Sequence, residues 1–394
     1  MSTADYTTWS GLAKHLAQVC DVRSRRGQRY EWPYLLVLLA LALLAGERTL
    51  VGMHHWLHMH EAELVNVLQP RRRCLPSLIT LGRVLRDVKV EALEAAVGRF
   101  QRELAGECGE AGSIVTHQGE QLVGQALDGK TVRGASAHGE LVHLVGLVQH
   151  ECGLVYDQVK ASVKLHERQA ADIIFARNDL RHTVTTTDAL HTCKKQARQI
   201  LRGGGDYIFV VKGNQHTLYN DIGAAFTVLP PHGSWEQAYW QYEAVTVPYY
   251  GHGRTELITL ESTIALNSYL SFPGIAQVVR RTRRATEHSS GKTTVAIEYL
   301  ITSLSRDRVT LYQVEVFRRG HWTIENVTHY ARDESFGEDR SQVRTGNAPQ
   351  ALAALRNAVA ALLRIEGWNT LPAGFRYCRE SPQRSLKLLG IPAT

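Results

Sequence analysis

Three acidic residues stand in short segments whose neighbours are typical of a metal-dependent site. Asp128 closes the apolar run LVGQAL, Asp188 follows the strand-like segment HTVTTT, and Glu325 lies in GHWTIEN. Carboxylates from distant parts of a chain can together hold two divalent cations against a scissile phosphate. If the three side chains converge, the segments indicate phosphoryl transfer on a nucleic acid.

Each acid taken alone also has an ordinary structural explanation. Asp128 followed by glycine is a common hairpin turn, and Asp188 is well suited to cap a helix predicted to begin at Ala189. Glu325 is predicted to lie on a helix, where it shares a face with His321 four residues earlier. That face can equally be a solvated surface with salt bridges. Spacing alone therefore leaves both explanations open.

Arginines cluster in several places, and the chain has a formal net charge of +7. An excess of positive charge suits a polyanionic partner but does not require one, and solvated surface charge is the alternative. If the run RRTRR is a strand, alternate arginines point to opposite faces and can contact phosphates on either side. The residues predicted to bind DNA are Arg71, Arg72, Arg73, Arg280, Arg281, Arg283, Arg284, Arg318 and Arg319.

The elements that must position these residues fall into stretches of different character. Residues 1–105 are predicted to be helical, and their apolar run PYLLVLLALALLA is too short for a membrane span and predicts a buried helix. Residues 106–121 are polar and glycine-rich, as in a linker. Residues 122–366 show three short strands and then alternating helices and strands, which predicts an α/β domain with a mixed sheet. A β-rich insertion is predicted at about 235–286, and a C-terminal tail at 367–394.

Several other classes of protein are disfavoured by the sequence. The six cysteines are scattered without a CxxC pair, which favours reduced thiols, and the N-terminus lacks the apolar segment of a signal peptide. The chain contains neither a phosphate-binding GxxxxGK[ST] loop nor HExxH. The four histidines of HHWLHMH have metal-like spacing, but no matching set of cysteine or acid ligands stands nearby. We therefore expect a cytoplasmic protein without a membrane partner.

Three long segments, taken together and in order, resemble the DDE transposases of ISAs-type bacterial insertion sequences. This branch includes the H-repeat-associated proteins. The segments are LDGKTVRGA at 127–135, TDALHTCKKQARQILRGGGDYIFVVKGNQHTLYNDI at 187–222, and RGHWTIENVTHYARDESFGEDRSQVRTGNAPQALAALRN at 319–357. The helical N-terminal part looks like the domain associated with these transposases, so the resemblance covers about residues 20–365.

The resemblance implies an RNase H-like catalytic domain in which Asp128, Asp188 and Glu325 bind two Mg²⁺ ions, for which Mn²⁺ would substitute. It implies cleavage of transposon ends at terminal inverted repeats and strand transfer into target DNA. It also implies a homodimer when DNA is bound and a nucleoid-associated location in the cytoplasm. The secondary candidates for positioning the substrate are Lys130, Lys212, Asn214, His321 and Asn326.

The chain departs from the family pattern around the third acid. Family members usually have tryptophan at the position of Tyr330, and leucine and valine where this chain has Arg332 and Glu334. His321 also stands where related families have arginine. Two alternatives to a transposase remain: a domesticated RNase H-like DNA-binding protein that does not transpose, and a nuclease of the same fold that cuts without joining.

Overall fold

The computed structural model of the chain describes residues 6–107, 113–135, 142–161, 167–228 and 241–392. The part of the predicted linker at 108–112 and the predicted start of the insertion at 235–240 lie outside the described residues. The chain divides into two compact units. The helical unit comprises Met1–Ala111, Gly129–Ala170 and Thr323–Thr394, and the sheet unit comprises Gly112–Asp128 and Ala171–Trp322. The domain boundaries inferred from the sequence stay a prediction.

The described α-helices and β-strands are numbered here in chain order. The helices are α1 (Gly11–Ala17), α2 (Trp32–Leu44), α3 (Leu50–Met59), α4 (Glu61–Leu68), α5 (Leu78–Asp87), α6 (Val90–Glu107), α7 (Glu167–Arg177), α8 (Lys194–Arg202), α9 (His216–Val228), α10 (Leu311–Gly320), α11 (Ala348–Ile365), α12 (Leu371–Arg379) and α13 (Pro382–Leu389). The strands are β1 (Ser113–Val115), β2 (Gln121–Val132), β3 (Val142–Gln149), β4 (Val155–Ala161), β5 (Thr183–Thr187), β6 (Asp206–Val211), β7 (Tyr242–Gly251), β8 (Arg254–Thr263), β9 (Gln277–Glu287) and β10 (Thr293–Thr302).

The core of the helical unit is built around α2. Its apolar run begins with Pro33 in the first turn, where proline is compatible with a helix, and every side chain from Tyr34 to Leu44 is buried. A helix that is apolar on all sides must be covered on all sides, and α1, α5, α11 and α13 pack against it. The predicted buried helix is therefore confirmed. Among the described residues, no helix has the length and apolar character needed to cross a membrane.

The segment predicted to be a C-terminal tail instead forms α12 and α13. Each helix carries a proline in its first turn, and each places apolar side chains at helical spacing. Leu371, Phe375, Leu386 and Leu389 enter the same core cluster as α1 and α2. The prolines of this segment stand at the starts of the two helices.

The sheet unit contains a mixed sheet, as the sequence predicts. Its strand order is β2-β5-β6-β10-β9-β8-β7, with β1 paired to the outer side of β2. Strands β2, β5 and β6 are parallel, and the remaining pairs are antiparallel. The described part of the predicted insertion is therefore a β-meander that continues the sheet beyond β10.

The two strands β3 and β4 belong to the helical unit and form an antiparallel hairpin. Their register runs from His143↔Ala161 to Val148↔Val155, with an irregularity between Leu147 and Val148. The hairpin packs on α6, whose Gln101 side chain accepts a hydrogen bond from the backbone N–H of Val155 at 2.7 Å.

Candidate active site

In the sheet unit, Asp128 and Asp188 lie where the pairing of β2 with β5 ends, a place that we call the sheet edge. Strands β2 and β5 are parallel, and their last paired residues are Leu127 and Thr187, so each aspartate is the next residue along its chain. Both side chains are half-buried. Strand β5 ends at Thr187, whereas β2 continues beyond Asp128 to Val132, so Asp128 and Gly129 lie within a strand and not at a hairpin turn. Ligands of α/β proteins bind outside the carboxyl ends of parallel strands, and Asp188 stands at such an end. The register thus brings two of the three predicted acids together.

The loop after Asp188 is ordered by its own hydrogen bonds. Asp188 Oδ1 accepts the backbone N–H groups of Leu190 at 3.0 Å and His191 at 3.3 Å. Helix α8 begins only at Lys194, with Cys193 at the N-cap position, so the prediction of a helix from Ala189 is wrong. Asp188 closes a short polar turn instead, because its carboxylate satisfies backbone donors before the helix starts.

The next loop along the edge, after β6, is tied to the Asp188 loop. Asn214 donates a hydrogen bond to the carbonyl of Ala189 at 2.8 Å, and Thr192 donates one to the carbonyl of Val210 at 2.6 Å. Lys212 follows β6 directly, and its side chain is exposed. Two of the predicted substrate-positioning residues, Lys212 and Asn214, therefore lie in a loop held against that of Asp188.

His321 is buried at the end of α10 rather than exposed at the edge. Its Nδ1 lies 3.1 Å from the Thr186 hydroxyl, which also donates to the carbonyl of Gln125. The ring therefore contacts the middle of β5. Its assignment as a substrate-positioning residue stays a prediction.

Glu325 and Asn326 lie in the helical unit, on a stretch that is π-helical. The helix α10 ends at Gly320, and two π-helical segments follow, Ile324–His329 and Ala331–Ser335. Glu325 therefore lies on a helix, as predicted, but in a π-helical segment that a turn at 321–322 separates from α10, so the i, i+4 argument for a face shared with His321 does not apply. The side chains of Glu325 and Asn326 are exposed, and Asn326 lines a cleft of about 500 Å³.

A buried ionic network in the helical unit supports this stretch. Arg332 pairs with Glu338 at 2.6 Å, and Arg356 pairs with the same carboxylate at 3.1 Å. Burial alone would raise the pKa of Glu338, but the two guanidinium groups outweigh it and hold the pKa below its ordinary value. Arg332, which replaces the leucine of the family pattern, therefore has a counter-charge.

Lys130, which follows Gly129 in the chain, also forms an ion pair. Its ammonium lies 2.6 Å from Asp333 of the π-helical stretch, and the lysine is buried. On the same stretch, burial and the charges of Arg332 and Lys130 lower the pKa of His329 to about 3. The role of Lys130 in positioning substrate stays a prediction.

Five of the six arginines predicted to bind DNA in the sheet unit have carboxylate partners. Arg280 pairs with Glu261 at 2.6 Å, and Arg281 with Glu315 at 2.7 Å. The alternation predicted for RRTRR is observed, since Arg280 also contacts Phe226 of α9 whereas Arg281 faces α10. Arg283 pairs with Glu256, Arg318 with Glu298, and Arg319 with Glu256, while Arg284 is exposed.

The sequence analysis missed two buried pairs of charged or titratable residues in the helical unit. One is the Glu338–Arg356 pair, and the other joins His143 to Glu167 at 2.6 Å. A Cβ on Gly129 would lie 2.4 Å from His143 Nε2, so that pair requires glycine after Asp128. Nothing in local spacing signals these contacts, because each joins residues from different elements.

The donor types at the sheet edge fit a hard divalent cation. Carboxylate oxygens are the ligands that Mg²⁺ prefers, and Asp188 uses only Oδ1 in its own turn. Throughout the part of the chain that the structure describes, no group of three or more His, Cys, Asp and Glu side chains is placed to hold a metal ion. The fit of this site to a divalent cation therefore depends on Asp128 and Asp188.

Comparison with known proteins gives two matched regions. Residues 13–101 match the family described as DDE_Tnp_1-associated, and residues 119–363 match the family described as Transposase DDE domain. The second match covers well over half of the chain.

Several curated proteins are similar to this chain. "Putative transposase YncI" of Escherichia coli O157:H7 is 25% identical over 365 residues, which are 90% of this chain and 87% of that protein. "H repeat-associated putative transposase YhhI" of E. coli K12 is 25% identical over 60% of this chain and 63% of its own length. An uncharacterized protein of Xanthobacter autotrophicus is 33% identical over 47% of this chain and 60% of that protein. The chain belongs to the transposase DDE domain family, in the group that includes the H repeat-associated putative transposases.

Proposed function

We propose that this protein is a DNA transposase that cleaves transposon ends and joins them to target DNA, with Asp128, Asp188 and Glu325 as metal ligands. The register of β2 and β5 carries the proposal, because Asp128 and Asp188 are the residues that directly follow the last pair, Leu127 and Thr187, of these two parallel strands. Glu325 is assigned from its motif and from its exposure on its own unit. Two Mg²⁺ ions, or Mn²⁺ in their place, are the proposed cofactors.

The chain's own residues have distinct tasks in this proposal. When bound, the metal ions would supply an activated water and neutralise charge on the scissile phosphate. Asp188 would bind from a loop already fixed by Thr192 and Asn214, so little ordering is needed at that ligand. Lys212, exposed on the neighbouring loop, would contact a phosphate oxygen as a point charge.

The chain order of the strands supports an RNase H-like fold. Strand β2 is followed by the β3–β4 hairpin, and the chain then passes through α7 into β5, which is parallel to β2. A second crossover, through α8, adds β6 parallel to β5. We further propose that the protein pairs two transposon ends as a homodimer on terminal inverted repeats.

The test is Asp188→Asn in the full chain. Asparagine keeps the side-chain acceptor for the Leu190 and His191 N–H groups but removes the charge that a cation needs. We expect Mg²⁺-dependent cleavage of a duplex carrying the DNA that flanks the coding region to fall about a thousandfold, since several kcal/mol of metal-assisted stabilisation is lost. Duplex binding in EDTA should be unchanged.

Asp179→Asn is the matched control, because Asp179 is an exposed carboxylate of the same unit, paired with Arg181. Cleavage retained by the Asp188→Asn variant would overturn the metal-ligand assignment. A wild-type protein that cuts without strand transfer would be the RNase H-like nuclease, and one that binds without cutting would be the domesticated DNA-binding protein.

A further inference from the structure

The positive charge of the chain is concentrated in two short segments of the helical unit. Residues 21–31 contain four arginines and two acids, and residues 69–75 contain three arginines and no acid. These segments therefore carry a net charge of +5, whereas the whole chain carries +7. Charge at this density produces a local field that attracts polyanions.

Direct contacts hold the two segments together. The Tyr30 hydroxyl donates to the carbonyl of Leu75 at 2.9 Å, and the backbone N–H of Arg71 donates to Glu31 at 2.9 Å. The Arg72 guanidinium lies 5.8 Å from the centre of the Tyr30 ring. Six exposed arginines lie on these two joined segments and form what we call the arginine patch: Arg25, Arg26, Arg29, Arg71, Arg72 and Arg73.

The nearby acids are already engaged. Asp21 is held by Arg23 through contacts of 2.9 and 2.8 Å, and Glu31, largely buried, pairs with Arg71. In the described ranges of the chain, no carboxylate forms an ion pair with any of the other five arginines of the patch. Their charges are therefore open to an external anion.

The arginines of β9 and α10, apart from the exposed Arg284, already form ion pairs with carboxylates. Arg281 is only 11% exposed and pairs with Glu315, whereas the Arg71 side chain is 72% exposed. Breaking a buried pair to bind a phosphate would leave a carboxylate uncompensated, which is strongly unfavourable. Apart from Arg71, which pairs with Glu31, the arginines of the patch can bind phosphates without that cost.

We propose that the arginine patch binds the phosphodiester backbone of duplex DNA and supplies most of the protein's salt-dependent affinity. This inference rests on the proposed function for the choice of DNA as the polyanion. Guanidinium groups bind phosphate oxygens bidentately, and backbone contacts of this kind position a protein on DNA without reading sequence. It adds Arg25, Arg26 and Arg29 to the residues predicted to contact DNA and gives the patch a larger share of the binding than the arginines of RRTRR.

The test uses the full-length triple variant Arg25→Gln, Arg29→Gln and Arg73→Gln, whose side chains are exposed. Binding to a short fluorescent duplex is followed by anisotropy in EDTA across a range of salt concentrations. Each lost phosphate contact reduces the magnitude of the negative slope of log association constant against log salt concentration by about 0.9. The magnitude should therefore decrease by up to about 2.7, and the affinity by at least about tenfold.

The control is the triple variant Arg202→Gln, Lys292→Gln and Arg376→Gln, which removes the same charge from exposed sites elsewhere. Its affinity should stay close to that of the wild type, and the thermal unfolding of both triples should match the wild type. Equal losses in both triples, no loss in the patch triple, or no duplex binding by the wild type would each overturn the proposal. Because metal is absent, the result does not depend on catalysis: a protein that binds through the patch but never cleaves would refute only the proposed function.

Discussion

At the scale of single residues, Arg332 shows how a departure from a family pattern is accommodated. Its position is usually leucine, and a buried guanidinium without a partner would be strongly destabilising. Glu338 lies fully buried between Arg332 and Arg356 and compensates both. The departure therefore changes what holds the π-helical stretch without leaving an isolated charge in the core.

Glu338→Gln should lower the free energy of unfolding by about 3–5 kcal/mol, since it leaves two buried guanidinium groups without a counter-charge. The measurement is urea unfolding at neutral pH. Glu334→Gln, an exposed change in the preceding turn, is the control and should alter stability by less than about 0.5 kcal/mol. Equal stability of the two variants would mean that the network does not contribute.

The residue types that can do chemistry were predictable, but their partners were not. The strand that ends just before Asp188 is a local feature, and the sequence predicted it. Once the neighbouring strands are parallel, their register follows from their pairing. The partner of Arg332 is set by packing between elements, and Arg356 reaches the same carboxylate from a helix 18 residues further on. No spacing rule specifies such a pair.

At the scale of elements, the stretch after α10 is helical, as predicted, but its hydrogen-bond register was not indicated by the sequence. A run such as WTIENVTHYARDES is compatible with helix, and α- and π-helices differ in hydrogen-bond register rather than in residue preference. The structure has i→i+5 segments from Ile324 to Ser335 with one interruption at Tyr330. π-Helical turns occur frequently at functional sites, which is consistent with the proposed role of Glu325.

This stretch should make stability dependent on pH through His329. Its folded pKa of about 3 lies below the ordinary 6.5, because burial and nearby positive charges disfavour the imidazolium. Between these values the unfolded chain binds a proton that the folded chain does not, so stability falls as pH falls from about 6.5 towards 3. At pH 5 the loss from this group should be about 1–2 kcal/mol.

His329→Gln should therefore lose less stability than the wild type between pH 7 and pH 5, as measured by urea unfolding at each pH. His55→Gln removes an exposed histidine and should leave the change in the free energy of unfolding between pH 7 and pH 5 as it is in the wild type. Parallel slopes for the two variants would show that His329 titrates normally in the folded state.

At the scale of the whole molecule, the helical unit is assembled from segments at opposite ends of the chain. Ser10 donates its backbone N–H to the carbonyl of Gly390 at 2.9 Å, and α13 packs against α1 and α2. The sequence predicted that α2 is buried, since it is apolar on every side. It did not predict which segments cover α2, because that depends on contacts nearly the full chain length apart.

Because α13 is part of the core, removing a buried side chain from it should destabilise the helical unit, just as removing a buried side chain from α2 would. Leu389 is fully buried in the core cluster, so Leu389→Ala should lower the free energy of unfolding by about 2–5 kcal/mol. Lys387→Ala, an exposed change in the same helix, should shift it by less than about 0.5 kcal/mol. A dispensable tail would instead give two variants of wild-type stability, because neither side chain would then be buried in the folded state.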